Sequence, residues 1–270
     1  MWLVRDGKSV PLERDTGVLV AELRGSTLLV TLHRPHAANA LDDELMVALR
    51  RLWESVAAEP SVRCIVLTGA GEAFCAGADA RMVAGDRASV GDTAAQELAF
   101  VPGPQISVPV VVVVNGVCAG GGLHFVADAD ICIAAKSARF LDPHVSIGQV
   151  SALEPVLLRG RMRRDVLARM VLLGKHEQLG SEAARDAGLV SEVVDDDVAL
   201  ERGLALAALI TRNSPEAVRL SRRALRRAEE HALATELDLG WELIRRHRAH
   251  PDAAEGPIAF LEKRVPKWTS

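Results

Sequence analysis

Residues 110–130 read VVVVVNGVCAGGGLHFVADAD. Five consecutive valines are too β-branched, and the run too short, for a stable helix, so they predict a strand. No polar residue alternates among them, so both faces of that strand are expected to be buried. Asn115 and Gly116 then supply a turn signal. Gly120, Gly121 and Gly122 follow, and Leu123, His124, Phe125, Val126 and Ala127 suit the opening turns of a helix packed on the strand. The glycines therefore lie where a helix begins, where main-chain N–H groups lack internal acceptors and meet the positive end of the helix dipole. Without Cβ atoms in the way, a ligand can approach those amides closely. Taken alone, the run also suits a tight turn and close helix–strand contact. No Gly-Lys-Ser/Thr follows, so it is not a P-loop.

The chain has 270 residues, of which 49% are hydrophobic. That is enough for one large core, or for a core with a smaller appended part. A formal net charge of −4 gives no general attraction to nucleic acid or to an anionic membrane. Aromatic residues make up 3% and tyrosine is absent, so a base-stacking surface is not expected. Cys64, Cys75, Cys118 and Cys132 show no CxxC spacing, and three of them adjoin apolar runs. They read as buried, reduced thiols, which fits a cytosolic compartment. The opening MWLVRDGKSV carries charge at Arg5 and Asp6 before any long apolar stretch, unlike a signal peptide. The longest apolar run, 108–114, is far short of a membrane span.

Outward from the valines, 18–23 and 28–32 predict a hairpin around Arg24-Gly25-Ser26. Leu45, Leu49, Leu52 and Val56 recur at helical spacing with Asp42 as N-cap, which predicts a helix over 43–57. Residues 62–68 predict another strand, broken by Gly69-Ala70-Gly71 before the Phe74-Cys75-Ala76-Gly77-Ala78-Asp79 segment. Two strand–turn–helix units, 64–82 and 110–130, thus carry glycines at comparable places. Further on, the pattern predicts a short helix near 93–100, a strand over 131–135, helices over 155–173 and 181–187, and a strand over 189–194. Beyond Asp195-Asp196-Asp197 the chain reads as helical, with helices at 200–211, 215–230, 233–248 and 257–263. A soft boundary near 198 separates a core, 1–198, from a helical region, 199–270.

In this order, LHRPHAANAL (32–41), CIVLTGAGEAFCAGAD (64–79), VVVVNGVCAGGG (111–122), AGLVSEVV (187–194) and FLEKRVPKW (260–268) resemble the crotonase (enoyl-CoA hydratase/isomerase) superfamily. The resemblance implies an α/β fold, a spiral of ββα units followed by a helical region that packs homotrimers, or hexamers as dimers of trimers. It implies acyl-CoA thioester substrates, with coenzyme A as part of the substrate and neither a metal nor another cofactor. It also implies an oxyanion hole in which two backbone N–H groups grip the thioester oxygen, at positions matching Ala78 and Gly121. Fixed donors suit that role because they need little reorganisation as charge develops. The family's CoA-contacting stretches correspond to His36, Ala37 and Ala40 and to 76–80, which contains Ala76, Asp79 and Ala80. Arg34 and the arginines of 159–164 and 222–227 are the candidates for meeting the CoA phosphates.

The sequence departs from the family where its hydratases carry two glutamates, one three residues after the oxyanion glycine and one twenty residues further on. His124 and His144 stand there, and the glycine-rich loop that follows reads SIGQVSALEP. Both imidazoles can titrate near neutral pH, and a helix N-terminus should favour the neutral form of His124. They are therefore expected to divide acid and base roles around the thioester. Asp142 and Glu154 are the carboxylates placed to orient His144, although Glu154 taken alone reads as a surface residue. The simplest reading is an enoyl-CoA hydratase/isomerase. Histidine also replaces glutamate in the superfamily's β-diketone hydrolases, which leaves a retro-Claisen C–C hydrolase open. A catalytically weak acyl-CoA-binding protein is the third alternative.

Overall fold

The structure, a computed structural model, describes residues 17–79, 82 and 93–269. The hairpin is β1 (Leu19–Arg24) and β2 (Thr27–Leu32), and the helix after it is α1 (Asp43–Ala57). Asp42 caps α1 by accepting a hydrogen bond from the Leu45 N–H, as its position predicts. Next come β3 (Cys64–Gly69), β4 (Ala73–Cys75) and α2 (Ala94–Glu97). The valine run is β5 (Val110–Val114), followed by β6 (Val117–Ala119), α3 (Gly122–Asp128), β7 (Ile131–Ala135) and β8 (Arg139–Leu141). Then follow α4 (Leu153–Leu158), α5 (Arg164–Leu173), β9 (Leu179–Gly180), α6 (Ser181–Asp186) and β10 (Glu192–Val194). Three helices close the chain: α7 (Ala199–Thr211), α8 (Pro215–His247) and α9 (Pro251–Leu261).

The chain visits two sheets in turn. Strands β3, β5 and β7 are successive parallel neighbours in a sheet of order β1-β2-β3-β5-β7-β10, and β4, β6 and β8 are successive parallel neighbours in a sheet of order β4-β6-β8-β9. Each ββ step adds one strand to each sheet, which is the ββα spiral that the resemblance implies. The valines explain the centre of this arrangement, since all five are at most 1% exposed. Val110, Val112 and Val114 face the main core, whereas Val111 and Val113 face a second core with Ala199 and Ala207 of α7. Helix α7 comes close because Gly203 has no Cβ; one placed there would lie 2.3 Å from a Val113 methyl. The four cysteines are free and buried. Burial pushes the Cys75 thiol up to about 12.

Four short strands, β4, β6, β8 and β9, escape the sequence pattern because two or three residues are too few to establish a period. The helical stretch at 155–173 is two helices, interrupted around Gly160, and Arg163 N–H bonds the Ala187 carbonyl in the gap. Conversely, 215–230 and 233–248 form one helix, α8; no glycine or proline lies between them to stop it. The last helix begins at Pro251, ahead of the expected 257. Pro257 cannot donate to the Ala253 carbonyl one turn back, and Gln149 Nε2 fills that vacancy at 2.8 Å. Helix α9 also packs tightly on the turn at 144–148, because a Cβ on Gly256 would lie 1.9 Å from Ile147 O. No helix is long and apolar enough to cross a membrane among the described residues.

Candidate active site

Two asparagines fasten the loops beside the site. Asn39 is fully buried, accepts from the Arg34 N–H at 2.8 Å, and donates to Ala70 O at 2.9 Å and Ala73 O at 2.8 Å. Its φ of 55° is left-handed, a conformation asparagine tolerates better than most residues. Asn115 bridges the two glycine turns, accepting from the Gly69 N–H at 3.1 Å and donating to Gly71 O at 2.9 Å. Neither role shows in a one-dimensional pattern, although Asn115 had marked the turn.

The segment 77–79 runs beside Leu41. Leu41 N–H bonds Gly77 O at 2.7 Å and Asp79 N–H bonds Leu41 O at 2.8 Å. Successive amides of an extended segment face opposite sides, so the Ala78 N–H faces away from Leu41. The Gly77 φ of 89° makes this path one that glycine favours. A Cβ on Gly77 would lie 3.3 Å from Gly121 N, and one on Gly121 would lie 3.8 Å from Ala78 N. The two glycine turns therefore converge. Neither the Ala78 nor the Gly121 N–H has an acceptor among the described residues.

Both amides border one cavity of about 570 Å³, which His124, His144 and Glu154 also line. His124 lies in the first turn of α3, 6% exposed, and meets the Phe100 ring edge to face. Its Nε2 is 2.9 Å from Glu154 Oε1, while its Nδ1 has no partner among the described residues. His144 opens the short 3-10 turn after β8, and a Cβ on Gly120 would lie 3.4 Å from its Cε1. Its Nδ1 is 2.6 Å from Asp142 Oδ1 and its Nε2 3.7 Å from Glu154 Oε1. Ser151 Oγ donates to Asp142 Oδ2 at 2.5 Å. The result is a chain of four groups, Asp142, His144, Glu154 and His124.

Glu154 corrects the expectation of a surface carboxylate: it is 4% exposed and sits between the two imidazoles. Its place at the start of α4, in the altered loop, turns it inward. Burial alone would raise its pKa, but His144 and His124 outweigh that and hold it low. For His144, burial acts to lower the pKa, yet Glu154 and Asp142 overcome it and raise it to about 9. At neutral pH His144 is an imidazolium between two carboxylates. Donor atoms of Asp142, His144 and Glu154 fall within 4.8 Å of one another, a set that could close on a cation. Asp142 already has both oxygens engaged, by His144 and Ser151.

The other expected site residues fall less centrally. Ala76 lines the cavity. His36 and Ala37 lie in a 3-10 turn, with His36 exposed, Ala37 half-buried and Ala40 buried; none of these three borders the cavity. Asp79 pairs with Arg34 at 3.2 Å. Ala80 lies outside the described residues. Arg34 is 9% exposed and also pairs with Asp42 at 2.9 Å and bonds Ala40 O, so it ties the two loops together and does not stand open to a phosphate. Arg222 and Arg226 are likewise committed, to Asp130 and to Asp128 with Asp130. The sequence offers no sign of two further wall residues, Trp241 of α8 and Arg248, which caps its C-terminal end.

Fold and site together define a ββα-spiral protein with a cleft bordered by free main-chain donors. Comparison with known proteins makes that class specific. A family model described as enoyl-CoA hydratase/isomerase matches residues 22–270. Enoyl-CoA hydratase EchA19 of Mycobacterium tuberculosis is 32% identical, with 92% of this chain and 95% of that protein covered. The 2,3-dehydroadipyl-CoA hydratase of Escherichia coli is 34% identical over 93% of this chain and 98% of its own. Among solved structures, carnitinyl-CoA hydratase from Mycobacterium avium superposes with a TM-score of 0.85 at 33% identity, covering 94% of this chain and 98% of that one. The chain belongs to the enoyl-CoA hydratase/isomerase family, and its fold is that of the crotonase superfamily.

Proposed function

We propose that the protein is an acyl-CoA enzyme of the hydratase/isomerase type, in which Ala78 and Gly121 N–H hold the thioester oxygen and His144, Glu154 and His124 move protons beside it. The observation carrying this reading is that two amides without acceptors and a buried imidazole–carboxylate chain border one cavity. In the hydration direction, water gives a proton to the His124–Glu154 pair and its oxygen bonds to the β-carbon. The enolate that forms is stabilised by the two amides, and the His144 imidazolium protonates the α-carbon. Coenzyme A enters as part of the substrate, and the chemistry calls for no metal. The same groups serve isomerisation by carrying a proton from the γ- to the α-carbon.

A C–C hydrolase is the second reading, favoured by the imidazole held between two carboxylates. There the pair activates water to attack a β-carbonyl, the C–C bond breaks toward the enolate, and His144 protonates the released carbon. Crotonyl-CoA and a β-keto acyl-CoA, assayed with wild type and with His124→Ala and His144→Ala, separate the two. Hydration lost in both variants supports the first reading, and cleavage of the keto substrate alone supports the second. Wild type that binds acyl-CoA and turns over neither is a carrier, and the enzyme reading fails. Exposed apolar residues on and after the last two helices, among them Leu225, Leu239, Phe260 and Val265, support a homotrimer or a dimer of trimers, to be checked by light scattering.

A further inference from the structure

His144 owes its place to the turn that carries it, and that turn is held from outside. Residues 144–147 form a single 3-10 turn closed by Gly148, whose φ of 67° is left-handed. A Cβ on Gly148 would lie 2.1 Å from Asp252 O, so only glycine fits there. Gly256 of α9 and Gly174, just after α5, press on the same turn. A Cβ would lie 1.9 Å from Ile147 O in the first case and 2.2 Å from Ser146 Oγ in the second. One side chain fixes the closing residue: His247, the last of α8, places its Nε2 2.6 Å from Gly148 O. A carbonyl oxygen can only accept, so Nε2 carries the proton. The His247 ring is stacked on His250, with centroids 5.3 Å apart and planes 14° from parallel. His250 is fixed in turn as the N-cap of α9, accepting from the Asp252 N–H at 3.3 Å. His247 thus joins the end of α8, the start of α9 and the turn that bears His144.

The geometry around His144 is sensitive to such fixing. Its Nδ1 is 2.6 Å from Asp142 Oδ1, but its Nε2 is 3.7 Å from Glu154 Oε1, already beyond a direct hydrogen bond. An outward shift of the turn would lengthen that contact further, and a misplacement of about 1 Å can cost roughly a hundredfold in rate. We propose that His247 is a positioning residue for the reaction: its Nε2–H, held on Gly148 O, sets the distance of the His144 ring from Glu154 and from the substrate carbons. His247 does not itself border the cavity. The effect on catalysis rests on the acyl-CoA reading above, whereas the effect on the His144 ring does not.

Burial disfavours the charged His144 ring, and Glu154 and Asp142 overcome it and raise its pKa to about 9. Those contributions fall with distance, so the titration of His144 reports where the turn holds it. The test follows the imidazole NMR signals of isotope-labelled histidine against pH, with His144 assigned by its loss in His144→Asn, beside the kinetics of crotonyl-CoA hydration. In His247→Leu, which removes the donor, His144 is expected to titrate closer to its usual 6.5. In the same variant kcat should fall roughly tenfold while KM stays within about twofold. His247→Gln keeps an N–H of similar reach and is expected to restore the wild-type titration and most of kcat. His247→Asn, whose amide stops short of Gly148 O, replaces the leucine variant if that one fails to fold. An unmoved His144 titration or an unchanged kcat in the variant without the donor overturns the proposal, as does a glutamine variant no better than it. Wild type that turns over no acyl-CoA removes the acyl-CoA enzyme reading, and the titration then decides the positioning role by itself.

Discussion

His124 Nε2 lies 2.9 Å from Glu154 Oε1, with both side chains almost wholly buried. A carboxylate so placed fixes the imidazole and compensates the charge on His144, 3.7 Å away. Replacing it with its neutral isostere keeps the volume and removes the charge. Glu154→Gln is therefore expected to lower kcat by at least roughly a hundredfold and to leave acyl-CoA affinity within a few fold. Steady-state kinetics and calorimetry on the same preparation check this; wild-type kcat in the variant would remove Glu154 from the mechanism.

The His144 pKa of about 9 exceeds its usual value of 6.5, so its ion pairs favour folding while the ring is protonated. That contribution is complete below about pH 6.5 and is lost as pH rises through about 9, with a size of about 3 kcal/mol. Urea unfolding across this range is expected to show the loss in wild type and its absence in His144→Asn. Hydration activity should decline through the same upper limb, since the proton donor disappears. Glu154, held low, acts in the opposite sense: its contribution is present above the ordinary glutamate pKa and is lost in acid.

Much of this was legible in the sequence, for identifiable reasons. The valines of 110–114 and the heptad-like spacing of Leu45, Leu49, Leu52 and Val56 gave their elements to within a residue. Those segments bury continuous or periodic apolar faces, and sequence registers such faces directly. The two histidines stood out because of what the resemblance leads one to expect at their positions. Glu154 was legible as a group to orient His144 but not as a buried one, because its burial depends on α4 turning it toward rings from two other elements, a relation with no sequence period. Trp241 was silent for the same reason: it lies deep in a long helix whose sequence is mostly polar. The short strands of the second sheet were hidden by their length alone.

Gly77 separates the two amides from a clash. A Cβ there would lie 2.9 Å from Ala119 O and 3.3 Å from Gly121 N, in a left-handed conformation. Gly77→Ala is expected to push the glycine turns apart and cut kcat/KM by roughly a hundredfold or more, the scale of losing one oxyanion donor. A kinetic assay with folding verified by circular dichroism decides the matter. Near-normal activity would mean the spacing of the turns is unimportant.

Asn39 has a structural part to play, with no contact to the cavity. Asn39→Ala strips partners from Ala70 O, Ala73 O and Arg34 N and leaves a left-handed alanine. A stability loss on the order of 4 kcal/mol is expected in chemical denaturation. A loss under about 1 kcal/mol would show that water replaces those bonds without penalty.

The most direct measurement is a crystal structure with a non-reactive acyl-CoA thioester bound. The thioester oxygen is expected within about 3.2 Å of both Ala78 N and Gly121 N, with the His144 ring beside the α-carbon and the His124–Glu154 pair beside the β-carbon. A thioester whose carbonyl lies away from either amide, or whose α- and β-carbons lie beyond reach of both imidazoles, would contradict the account.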